Sequence, residues 1–264
     1  MPVAGSLAAV HPIERLRYLA RAEDLDVDIL VPEAAASLAD LASSQPMLVM
    51  AARRLVAAHP CCGPLWWASS LVLCADGTGG ARDAAARACA LLVDDCTGDE
   101  LAAALPGGAV VVAGASTELA RALRARPDLE VRLVGAPLAL RGALEELSGG
   151  SPATAWRAEE SPGALSGADV LVLEATAAGP QGCLAPDGAV LAARARERGV
   201  ALWAMVGVGR LLPAPLFAAA AARCGTDRLV EVEDIARVVG PAGPGRPAAV
   251  LGASDCPAPL ELSR

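Results

Sequence analysis

Lysine is missing from this sequence of 264 residues, so all 22 basic side chains are arginine. A GC-rich coding bias accounts for that, but it has a chemical consequence. The chain can form no Schiff base, and it offers no compact ammonium to a phosphate. Long apolar runs are missing as well. Hydrophobic residues make up 54% of the chain, and the mean hydropathy is +0.44. Even so, stretches such as GVALWAMVGVG fall short of the roughly 20 apolar residues that cross a bilayer. The start, MPVAGSLAAVHPIER, has neither the basic beginning nor the long apolar centre of a signal peptide. A soluble, cytoplasmic protein with no membrane partner is expected. The net charge of −8 leaves no basic stripe, so no nucleic-acid partner is expected either.

The eight cysteines (61, 62, 74, 89, 96, 183, 224 and 256) include no C-x-x-C pair. In a cytosolic chain they read as small buried hydrophobes. HPCCG places His59 beside Cys61 and Cys62, but a metal would need more ligands at suitable spacing. No metal is expected.

Residues 12 to about 103 read as helices. PIERLRYLARA puts Ile13, Leu16, Leu19 and Ala20 on one face. VPEAAASLADLAS and PMLVMAARRLVAA follow, each with Pro near the first turn, where a missing N–H costs nothing. GPLWWASSLVLCA is an apolar helix with Trp66 and Trp67, and ARDAAARACALLVDD completes the set. The pattern changes at LPGG, residues 105 to 108. AVVVAG, LEVRLVG, ATAWRA, ADVLVLEA and VALWAMVG read as strands, and RLVEVE as a possible last one. STELARALRAR, LALRGALEEL and GAVLAARARERG between them read as helices. GPAGPGRP reads as a loop leading to a short tail, and there is no internal repeat. Continuous apolar strands alternating with helices mean a parallel sheet covered on both faces. The expected fold class is α/β: a helical N-terminal domain over 1–104, then a Rossmann-like parallel-sheet domain over 105–264 with a C-terminal tail.

Ligands of open α/β sheets sit beyond the carboxyl ends of the strands, and three ends stand out. After the first strand, Gly114 allows a tight turn and Ser116 or Thr117 can cap the next helix. Free N–H groups there suit a phosphate or carboxylate, or the pair is an ordinary N-cap. A G-x-G-x-x-G is lacking, so no dinucleotide cofactor is expected. The strand ADVLVLEA ends in Glu174. Partial burial would raise its pKa towards neutrality and make it a general acid or base; alternatively it is a structural carboxylate paired with Arg or backbone amides. Past the strand VALWAMVG stands Arg210, an anion clamp or a solvated loop residue. Trp66, Trp67 and Trp203 fall in apolar segments and read as core.

Four stretches in order resemble a known superfamily: GGAVVVAGASTELARALRAR, GADVLVLEATAAGPQG, LAARARERGVALWAMVGVGRLLP and ASDCPAPLEL. It comprises the regulatory subunits of translation initiation factor 2B, methylthioribose-1-phosphate isomerase and ribose-1,5-bisphosphate isomerase. The likeness covers most of residues 106 to 262 and implies a fold of the NagB/RpiA/CoA-transferase kind. It also implies a homodimer and a phosphorylated ligand, a sugar phosphate or nucleotide. The family's enzymes isomerise a phosphorylated aldose with a Cys after the first strand and an Asp after a G-A-D strand. Here the first loop reads AGAST, with no Cys beside it in sequence. The G-A-D match reads EAT, so Thr176 stands for the Asp and Glu174 precedes it. An upstream R-P-T corresponds to Gln45–Met47. Arg210 keeps a positive charge where the family often has Lys, and Asp255 matches the closing motif. Loss of such acid/base groups costs a factor of about 10²–10⁴ each.

Three readings follow. The first is a non-catalytic relative that binds a small phosphorylated metabolite or a partner protein in a regulatory role. The second is an isomerase-type enzyme with Glu174 as acid/base and Arg210 with the Ser116–Thr117 amides as phosphate cradle. The third is a dimeric scaffold without a small ligand.

Overall fold

A computed structural model describes residues 11–22, 25–135, 154–156 and 161–263. The helix expected over 138–147 lies outside the described residues. The first part is helical: α1 (Pro12–Leu19), α2 (Val27–Ala39), α3 (Gln45–Ala58), α4 (Gly63–Leu73), α5 (Gly77–Val93) and α6 (Thr97–Ala104). α2 starts earlier than its proline suggested. Asp26 caps it by accepting from the Asp28 N–H, which leaves Pro32 inside the helix. Sequence reading overlooked α6, whose first turn carries Asp99 and Glu100, the charge sign a helix N-terminus favours.

The sheet begins with β1 (Ala109–Ala113) and α7 (Thr117–Arg124), then β2 (Glu130–Val134) and β3 (Thr154–Trp156). A short helix α8 (Ser161–Ala164) precedes β4 (Val170–Glu174). A hairpin, β5 (Ala177–Gly179) and β6 (Gly182–Leu184), leads to α9 (Gly188–Arg198) and β7 (Ala201–Met205). After α10 (Ala214–Cys224) come β8 (Leu229–Glu231), β9 (Arg237–Gly240), β10 (Gly243–Gly245) and α11 (Pro247–Leu251). The central sheet runs β10-β9-β7-β4-β1-β2-β3. Only β10 is antiparallel. Numbered among the parallel strands alone, that is the order 3-2-1-4-5-6 of a doubly wound dinucleotide-binding sheet. β1 and β4 are buried at every position, as strands covered on both faces must be.

Three sequence expectations change here. RLVEVE does hold a strand, β8, but it pairs with β6 in a separate three-stranded antiparallel sheet. The last parallel strand is β9, which sequence reading missed because only four residues carry it. The Gly/Pro stretch after it is not all loop: β10 folds back on β9 there. α10, an alanine-rich helix, also went unread. It buries Leu216, Phe217 and Ala220 in the same apolar cluster as Trp66 and Leu65 of α4. Each large apolar side chain so buried stabilises by about 1.5–3 kcal/mol.

The cysteines do not all behave as small hydrophobes. Cys61, just before α4, is disulfide-bonded to Cys224 at the end of α10, with 5.6 Å between their Cα atoms. Cys183 and Cys256 are buried, while Cys74 and Cys96 are exposed. His59 does not join a metal group; its Nε2 lies 2.8 Å from the Leu19 carbonyl oxygen, to which it donates. Trp66, Trp67 and Trp203 are core residues, with Arg223 stacked over Trp66 and Arg237 over Trp203.

Candidate functional site

β1 and β4 are neighbours at the centre of the sheet, and the chain leaves them in opposite directions. That divergence opens the crevice in which such sheets hold ligands. The loops after β1, β4 and β7 all reach it. Glu174, the last residue of β4, turns its carboxylate into the gap. Its Oε2 accepts from the Ala115 N–H at 2.7 Å and the Ser116 N–H at 3.0 Å. Its Oε1 accepts from Arg210 at 2.6 Å, and the same guanidinium nitrogen donates to the Ala175 carbonyl at 2.8 Å. The pair is buried, with side-chain exposures of 8% for Glu174 and 13% for Arg210.

The loop after β1 is shaped to receive this carboxylate. A Cβ on Gly114 would lie 2.5 Å from both the Cβ and Oε2 of Glu174, so no other residue fits without moving the carboxylate. Ser116 caps α7, its Oγ accepting from the Leu119 N–H at 3.1 Å. The Glu174 charge therefore sits at the positive end of α7 as well as against Arg210. Thr117 lies outside this contact: it is exposed, with its hydroxyl 3.3 Å from Asp28 of α2.

Arg210 is held from both sides of the molecule. Its carbonyl accepts from the Ala178 N–H at 2.7 Å. The turn before it is fixed by Asp95, at the end of α5. Asp95 Oδ2 accepts from the Val208 N–H at 2.8 Å, and Oδ1 from the N–H of Thr97 at 2.9 Å. Burial alone would lower the Arg210 pKa; Glu174, with Glu118 and Asp95, outweighs it and holds the guanidinium charged.

The expectation for the Glu174 pKa is overturned. Burial does push it up, but Arg210 and the donors at Ser116 and Ala115 push harder, and the carboxyl lies below its ordinary 4.5. The contacts are those of the second alternative, a carboxylate paired with Arg and accepting backbone amides. Arg210 is correspondingly neither a solvated loop residue nor an open clamp. The N–H groups of Ala115 and Ser116 are occupied by the protein's own side chain.

The remaining candidates divide. Thr176 uses its hydroxyl on the Leu184 carbonyl at 3.1 Å, which closes the β5–β6 hairpin. Its own carbonyl accepts from the Gly63 N–H at 2.9 Å, which docks the start of α4 onto the loop after β4. Asp255 belongs to a tail segment that reaches the loop after β7, where Ser254 Oγ donates to the Leu211 carbonyl at 2.9 Å. Asp255 itself is exposed. Gln45–Met47 opens α3, with Met47 packed against the helical core; the helix start that docks at the crevice is that of α4.

Sequence reading missed Cys62 and Asp95. Cys62 is distant in the chain, yet the fold sets it close enough to Arg210 to feel its charge. Burial pushes the thiol up to about 11, against the opposing effects of the Leu65 backbone and Arg210. The thiolate is the nucleophile, so Cys62 is expected to resist iodoacetamide at neutral pH in the folded protein and to label on unfolding. Mass spectrometry of the alkylated chain checks this.

The fold is that of the initiation factor 2B and methylthioribose-phosphate isomerase group. The translation initiation factor eIF-2B of Pyrococcus horikoshii OT3 superposes with a TM-score of 0.69 at 11% identity, over 91% of this chain and 98% of that one. The tetrameric eIF2B-beta2-delta2 complex from C. thermophilum gives 0.68 at 16% identity, over 93% and 94%. The 5-methylthioribose 1-phosphate isomerase of P. horikoshii OT3 gives 0.57 at 15% identity, over 90% and 85%. No family model and no curated protein matches the sequence.

Proposed function

We propose that this chain is a non-catalytic relative of the initiation factor 2B subunits and sugar-phosphate isomerases. It acts through protein contacts, as a homodimer, in a regulatory role. One observation carries the reading. The crevice where a phosphorylated ligand would find two helix-start amides and an arginine already holds an anion, the carboxylate of Glu174. A metabolite would have to displace a buried ion pair to reach those donors. The catalytic alternative fares worse: a carboxylate held ionised by a guanidinium and two amides is a weak base. The Cys and Asp that the resemblance implies for the family's enzymes do not stand at the matching positions of this sequence. Assembly is supported by the fold-mates, one of which is a tetrameric complex.

The test is direct. The protein is incubated in D₂O with 5-methylthioribose 1-phosphate and with ribose 5-phosphate, and the C2 proton is followed by NMR. No exchange is expected, and neither compound should raise the melting temperature. Exchange that Glu174→Gln abolishes would establish the isomerase reading, and stabilisation without exchange would establish the metabolite binder. Sedimentation at micromolar concentration should give a dimer; a monomer would remove the assembly part of the proposal.

A further inference from the structure

A second feature lies in the helical part, lined by residues of α1, α3 and the turns beside them. α1 and the turn after it contribute Ile13, Leu16 and Ala20; α3 contributes Met47, Met50, Ala51 and Leu55. Each set repeats at three- and four-residue intervals, so each helix lays one apolar stripe along the same cleft. The space between them is about 160 Å³. Two neighbouring hollows share its residues: Arg17 and Arg21 line one with Glu14 and Tyr18, and Met50 and Arg54 line the other with Pro46, Val49 and Arg53. The result is a trough rather than a closed cavity. Met50 is 47% exposed on its floor.

The rim carries more positive than negative charge, with Glu14 its one acidic lining residue among these hollows. Arg17, Arg21 and Arg54 stand over the apolar floor. Arg17 pairs with Glu14. Arg21 and Arg54 are exposed, and among the described residues neither guanidinium has an ion-pair or hydrogen-bond partner. In a chain of net charge −8, a local excess of guanidinium groups over an apolar floor sets what can lie there. A neutral apolar segment would leave these charges unmatched; a small polar anion would leave the floor exposed.

We propose that this trough docks an amphipathic helix of a partner protein, with an apolar stripe facing the floor and Asp or Glu along its flanks. Two stripes at helical spacing form the groove that a third helix fills, as in helix-in-groove recognition. The span from Met47 to Leu55 rises about 12 Å, enough for two to three turns. Unbranched methionines on the floor adapt to the side chains of the arriving helix. The charged rim gives specificity and on-rate more than affinity. This inference does not depend on the reading of the crevice, and catalysis or metabolite binding there would leave it intact.

The probe is a fluorescent 18-residue helical peptide with leucines at i, i+3, i+4 and i+7 and glutamates on both flanks. It is titrated into the full chain and followed by anisotropy. Saturable binding is expected, about tenfold or more weaker for the doubly reversed variant Arg21→Glu/Arg54→Glu. A peptide with lysines in place of the glutamates should regain affinity for that variant. Met50→Asp should abolish both. The substituted residues are exposed, and unchanged melting temperatures confirm folding. No saturation up to about 1 mM peptide, or binding indifferent to the arginine reversal, overturns the proposal. So would decanoate binding at the trough while the peptide does not, or conversion of a dimer to monomer by Met50→Asp, which would make the occupant a fatty acid or a second copy.

Discussion

Arg210→Met will destabilise this protein by about 3–5 kcal/mol at neutral pH, because it leaves the Glu174 carboxylate buried without its counter-charge. For a chain of this size that lowers the melting temperature by roughly 6–20 °C. The pH dependence separates this cause from simple loss of packing. In the native protein the Glu174 pKa is held below its unfolded value of 4.5. Its ionisation therefore adds stability that is fully present above pH 4.5 and lost as the pH falls through the lower, folded pKa. Without Arg210 the largest influence left on Glu174 is burial, which raises the pKa. The gap between native and variant should thus be widest above the variant's raised pKa, narrow as the pH falls through it, and vanish below the lowered native pKa. Replacing both partners, Glu174→Gln with Arg210→Met, should recover part of the loss, since a neutral pair leaves no unpaired charge. Urea unfolding at several pH values measures all of this. A gap that does not change with pH would mean that Arg210 contributes only contacts.

The second large effect is a gain. Glu174→Ala empties the anion position while keeping the amides of Ala115 and Ser116 and the guanidinium of Arg210. The variant should unfold well below the native protein, for the same reason as Arg210→Met. Inorganic phosphate should then stabilise it and leave the native protein unaffected. At a hundredfold excess over its dissociation constant a bound anion adds about 2.7 kcal/mol. Glu174→Gln is the control, since its amide still fills the space and phosphate should not help. Equal stabilisation of native protein and variant would show that the crevice takes anions with Glu174 in place, and would restore the metabolite reading.

Both predictions grow from a contact that sequence could only frame as a choice. AVVVA and VLVLE announce central strands because a strand covered on both faces is apolar throughout. Gly114 and Ser116 announce a tight turn and a helix cap, and the structure has both. These are local patterns whose period or residue type carries the physics. The short elements went unread for the same reason: β9 and the β5–β6 hairpin hold three or four residues each, too few to show a period.

The sequence by itself thus determined the layered α/β architecture, the helical first part and the two strands that flank the crevice, because burial and capping leave their marks on neighbouring residues. The tertiary structure alone decided which groups hold Glu174. A glutamate at a strand end reads the same whether it is a reagent or a strut. Its charge state depends on Arg210, which another strand delivers, and on two amides from a third loop. The joining of Cys61 to Cys224, the placing of Cys62 near Arg210, and the pairing of β8 with β6 were settled in the same way. Each depends on distances across the fold, and a chain read one residue after another carries no measure of those.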